Sequence, residues 1–165
     1  MQDRRGLVPL RRARAGLLPP AQRLPLLQQV VADAEAMGLV AHALAARSEC
    51  VQALVDSGQA AAAAIEAAAL LPQVQQRCAW AHPPSVALTL FQALAEPEPA
   101  LALAQLGRAL GWIESAVAEL PPALASSLLA RHPVNRQVIA AARRHPALRA
   151  QVARLDTAAA AAAPD

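Results

Sequence analysis

The stretch PALALAQLGRALGWIESAVAEL, residues 99–120, decides the fold. Leu103, Leu106, Leu110, Ile113, Val117 and Leu120 follow one another at steps of 3, 4, 3, 4 and 3. That period of 3.5 sets them along one side of an α-helix. The seam is shorter than the roughly three to four heptads an intermolecular coiled coil sustains, so it reads as the central core helix of a bundle. Glu96 and Glu98 stand where the positive end of the helix dipole favours carboxylates. Gly107 and Gly111, four apart on this helix, suit a close helix crossing.

Outward from this helix, prolines punctuate the chain, and most stand where a helix would open. A first-turn proline lacks only an N–H that had no partner there, and its φ is already helical. Pro25 opens a segment carrying Leu26, Leu27, Val30, Val31 and Met37, which relaxes at Gly38. Two stretches follow, Leu39 to Leu44 and then Ser48 to Val55. Asp56-Ser57-Gly58 supplies a stop and a new N-cap. An Ala-rich segment over 59–71 precedes a short helix from Pro72 through Trp80. Pro83-Pro84 begins another, with Val86, Leu90, Phe91 and Leu94. After Pro121-Pro122 come three short segments, built on Leu124, Leu128 and Leu129, then Val134, Val138 and Ile139, then Leu148, Val152 and Leu155. The motif at Arg131 to Arg136 recurs thirteen residues on at Arg144 to Arg149, as two successive helix starts built alike; solenoid periods are roughly 20–50 residues.

Composition agrees with this class. Aromatics are 2% and there is no Tyr, whereas sheets draw on β-branched and aromatic residues and helices on Ala and Leu. The expected fold is all-α, a compact bundle or array of about seven to nine short helices around the helix near 99–120. Residues 1–20, with Gly6, Pro9, Gly16, Pro19 and Pro20 among arginines, read as a flexible basic arm. Residues 21–156 read as a single helical domain and 157–165 as an Ala-rich tail with nothing to pack against.

All fifteen basic residues are Arg. With one Asn, three Ile and abundant Ala and Pro, this reads as the coding bias of a GC-rich genome, hence a bacterial source. The choice of Arg over Lys therefore carries little information; the positions carry more. Residues 1–27 hold six Arg against Asp3, residues 131–155 hold six Arg and no acid, and residues 28–130 hold three Arg against nine carboxylates. No apolar run approaches the roughly 20 residues that span a bilayer, and the N-terminus lacks a secretory apolar region. Cys50 and Cys78 make no disulfide framework and read as reduced thiols. A cytoplasmic location and no membrane partner are expected.

Catalytic signals are weak throughout. Ser126 and Ser127 lack the glycine elbow of a hydrolase, and acids two apart, as at Asp33/Glu35, point apart on a helix. Only Cys78 and His82 share metal-ligand spacing, and two ligands make no site. His82, His132 and His145 each precede a proline, which places them at helix starts. No enzyme activity, cofactor or metal is expected. What remains is a basic surface of Arg131, Arg136, Arg143, Arg144, Arg149 and Arg154. The expected function is a non-catalytic helical interaction module (adaptor, scaffold or chaperone-like) with a protein partner that is acidic. Ala-rich faces that allow close helix approach also suit a homodimer. The alternative is nucleic-acid or other polyanion binding through the Arg-rich ends.

Overall fold

The structure, a computed structural model, describes residues 4–76 and 82–161. Cys78 and Trp80, with the readings that rest on them, lie outside the described residues. Among the described residues there are nine α-helices and no strand, so the chain is all-α. In order they are α1 (Arg4–Gly16), α2 (Pro20–Ala36), α3 (Val40–Asp56), α4 (Ala60–Gln76), α5 (Pro83–Leu94), α6 (Pro99–Glu119), α7 (Pro122–Ala130), α8 (Pro133–Ala142) and α9 (Arg149–Ala161), with a 3-10 turn over Pro146–Leu148 before α9. Contacts gather the chain into two compact units, one of Met1–Ala81 with Gln92–Pro97, the other of His82–Phe91 with Glu98–Asp165. Each unit has a core of buried side chains, and the leucine seam lies in that of the second.

In the first unit the segment read as a basic arm is helix α1. Gly6 and Pro9 disfavour helix locally, but Val8 and Ala15 are buried against α2 and α3. The arginines of α1 meet the carboxylates of the acidic middle of the chain: Arg11 pairs with Asp33, and Arg12 with Glu49 at 3.1 Å. Arg23 reaches Asp56 at 3.2 Å, and Arg47 pairs with Glu35. Each such exposed pair contributes up to about 1 kcal/mol, so burial of Val8 is the larger anchor and the charges choose the register.

Helix α3 is continuous where two stretches were expected. It buries Ala43, Leu44, Ala45, Ala46, Ser48, Cys50, Val51, Ala53 and Leu54, most of its circumference, as the middle helix of a packed unit does. The polar run Arg47-Ser48-Glu49 does not break it, because Arg47 and Glu49 are only half-buried and paired. Gly38 and Gly58 take φ of 67° and 72°, in the left-handed region that costs glycine nothing. At each, two bonds close the preceding helix, Gly38 N–H to Glu35 O with Leu39 N–H to Ala34 O, and Gly58 N–H to Val55 O with Gln59 N–H to Leu54 O. Both are Schellman stops, and they turn α2 into α3 and α3 into α4. Pro25 and Pro72 lie inside α2 and α4 rather than opening them. Each forgoes one backbone bond, and the helix persists because Leu27 and Leu70, close by, are fully buried.

In the second unit α6 turns Ala102, Gln105, Leu106, Ala109, Leu110 and Ile113 inward. Leu103 and Val117 pack against the same cluster, which takes in Ala87 and Leu88 of α5, Leu129 of α7, Val138 and Ile139 of α8, Leu148, and Val152 and Leu155 of α9. Gly107 alone of the glycine pair sits at a crossing: a Cβ there would stand 3.5 Å from Leu148 Cδ2, while Gly111 has no neighbour within 4 Å. Asn135 is fully buried, and its Nδ2 donates to Leu128 O at 3.2 Å, tying α8 to α7. Helix α9 runs into the stretch read as a tail, and Ala159 packs on the core. Proline stands at the start of α5, α6, α7, α8 and the 3-10 turn.

Candidate functional site

Helices α7, α8 and α9 bound a groove of about 600 Å³ on the second unit. Its floor is apolar, made of the buried Leu129 from α7, Ile139 from α8 and Leu155 from α9, with Ala140 and Ala159 lining it above. Pro133, Arg136, Ala140 and Arg143 follow at steps of 3, 4 and 3 along α8, the spacing that gives a helix one face. Small residues at Ala130, Ala140 and Ala159 leave the space between the helices that larger side chains would fill.

Two cations stand on this groove. Arg136 is exposed on α8 and has no carboxylate partner among the described residues. Arg143 caps the C-terminus of α8, where the helix dipole favours a cation, and its Nη2 donates to Asp156 Oδ1 at 2.7 Å. Asp156 therefore balances Arg143, and Arg136 leaves the rim with a net positive charge.

The six arginines singled out from sequence differ in their partners. Arg136 and Arg143 line the groove. Arg154 is turned to α6, where Nε and Nη2 donate to Glu114 at 2.9 and 3.3 Å. Arg144 bonds through Nε to Ala140 O at 3.4 Å. Arg131 and Arg149 are exposed and without a carboxylate partner among the described residues. Sequence reasoning missed the apolar floor, because Leu129, Ile139 and Leu155 follow the same periodicity as core residues. It also missed Asp156, thirteen residues from its partner.

Other chemistry-bearing groups are accounted for by packing. Cys50 is buried, and its thiol is pushed up to about 12, first by burial and then by Glu66 and Glu49, so it stays protonated and inert. Burial likewise raises Glu49 above the usual carboxylate range, with Arg12 and Arg23 opposing. Among the described residues no three His, Cys, Asp or Glu side chains gather where they could hold a metal. No helix among them is long and apolar enough to cross a membrane. Comparison with protein-family models, curated proteins and solved structures finds no match.

Proposed function

We propose that this chain is a non-catalytic helical interaction module whose second unit receives an amphipathic helix of a protein partner, acidic along one flank. The groove of α7, α8 and α9, apolar on its floor and carrying Arg136 unpaired on its rim, is the observation that carries the reading. Helix-in-groove recognition seats apolar side chains spaced i, i+3 or i+4 and i+7. A space of about 600 Å³ holds several such side chains, and its partly open form suits a peptide better than an enclosed small molecule. A partner carboxylate would meet Arg136 directly, and a second would compete with Asp156 for Arg143. The N-terminal arginines favour this reading over polyanion binding, since Arg11, Arg12 and Arg23 are engaged by the chain's own carboxylates.

A displayed library of helical peptides selected on the full chain tests it. Enriched peptides should carry Leu, Ile or Phe at the three anchor positions with Asp or Glu beside them. Their affinity, read by fluorescence anisotropy, should fall about tenfold or more in Arg136→Glu, a loss of about 1.4 kcal/mol, and equally in Ala140→Trp, which obstructs the groove. Peptides that bind these variants as well as the parent chain would overturn it. So would a mixed nucleic-acid pool that shifts the chain in a manner dependent on Arg131, Arg144 and Arg149 while no acidic peptide binds.

A further inference from the structure

Three histidines stand directly before helix-opening prolines, and two of them meet. Proline holds the residue before it in extended backbone, and His132 has φ −71° and ψ 116° as the N-cap of α8. His82 occupies the matching place before α5, where its carbonyl accepts from Ser85 N–H at 2.9 Å. The two imidazoles lie 4.5 Å apart between centroids, tilted by 34°. Trp112 of α6 stands edge-to-face with His82 at 5.0 Å and 79°. The cluster thus joins the start of α5, the corner between α7 and α8, and the outer side of α6, all within the second unit.

Both ring nitrogens of His82 and Nδ1 of His132 are shut off from solvent, and none has a hydrogen-bond partner among the described residues. A neutral imidazole carries one donor and stacks; an imidazolium carries two donors and a charge. Protonating His82 therefore adds an N–H and a cation where no acceptor waits among the described residues. The neighbouring elements do little to offset that. Helices α5 and α7 carry no ionisable side chain. On α6, Arg108 stands one turn before Trp112, Glu114 is held by Arg154, and Glu119 follows two turns after Trp112 at the exposed end of the helix. The α7–α8 corner brings Arg131 and His132 itself. The N-termini of α5 and α8 present the positive ends of their dipoles. Trp112, set edge-to-face with His82, is the one attraction among these groups, and a single ring does not replace the hydrogen bonds that a buried imidazolium forgoes.

We infer that His82 and His132 form an acid-sensitive latch: neutral, they close the start of α5 and the α7–α8 corner onto Trp112, and protonation in mild acid releases them. The direction follows from linkage. Burial first, then His132, hold His82 below the ordinary histidine value. In the unfolded chain it titrates near about 6.5. The latch's contribution is complete above that pH and is lost as the pH falls from there through the lower folded value.

The full chain carrying Trp80→Phe, so that emission comes from Trp112 alone, tests this between pH 8 and 4.5 at constant ionic strength. Between pH 7 and pH 5 its folding constant from urea titration should fall measurably further than that of the same chain with His82→Phe. Trp112 emission should change over the same range in the first chain and stay flat in the second. Histidine ring NMR on the parent chain gives an independent reading should His82→Phe fail to fold, with one imidazole expected to titrate clearly below about 6.5. Identical pH dependence in the two chains, or both imidazoles titrating at or above that value, overturns the latch.

Discussion

Leu110→Ala probes the second unit at a fully buried position of its core. Leu110 is fully buried, between Leu106 and Ile113 on α6 and within the cluster that α8 and α9 complete. The substitution removes three carbons from that site. At about 0.8 kcal/mol per buried methylene, the transfer loss alone is about 2.4 kcal/mol. The side chains around it come from several different helices and cannot collapse together, so a cavity adds to the loss and brings the total to about 3–5 kcal/mol. Urea titration followed by Trp112 emission, in a Trp80→Phe background, measures it. Leu124→Ala is the matched control, since Leu124 is 56% exposed and its truncation should cost no more than about 0.5 kcal/mol. A loss below about 1 kcal/mol at Leu110, or equal losses at the two sites, would mean that α6 is not the spine of this unit.

Two more predictions concern the first unit. Val8→Asp should detach α1, because it puts a carboxylate where Val8 is 1% exposed; hydrogen exchange over residues 4–16 should rise to unfolded rates, and retained protection would refute the docking of α1. In a Cys78→Ser chain, Cys50 should resist a thiol reagent at pH 8 until denaturant is added, since its thiol is pushed up to about 12 and the thiolate is the reacting form; immediate stoichiometric labelling of the folded chain would contradict that.

The helical class, the helix over 99–120 and most of the proline-marked starts were legible because each rests on local physics. Periodicity is written in Leu103 to Val117, and proline favours the first turn wherever it falls, as at Pro83, Pro122 and Pro133. The misread prolines share one cause. Pro9, Pro25 and Pro72 break local rules, and only burial of Val8, Leu27 and Leu70 by other helices keeps their helices intact. Likewise the basic N-terminal stretch looks solvated until the carboxylates of α2 and α3 lie beside it.

The candidate site was legible only in fragments. Arg136 and Arg143 were visible as cations, but nothing in a string of residues distinguishes Ile139 on a groove floor from Ile139 in a closed core. Nor does spacing along the chain reveal that Arg154 is spent on Glu114, forty residues away, or that His82 and His132 touch. By itself the sequence determined which segments coil and which faces are apolar, since those follow from interactions within a few residues. The tertiary structure alone decided how many cores form, which arginines stay unpaired and where a groove is left open. Those depend on distances between residues far apart in the chain, which only packing sets.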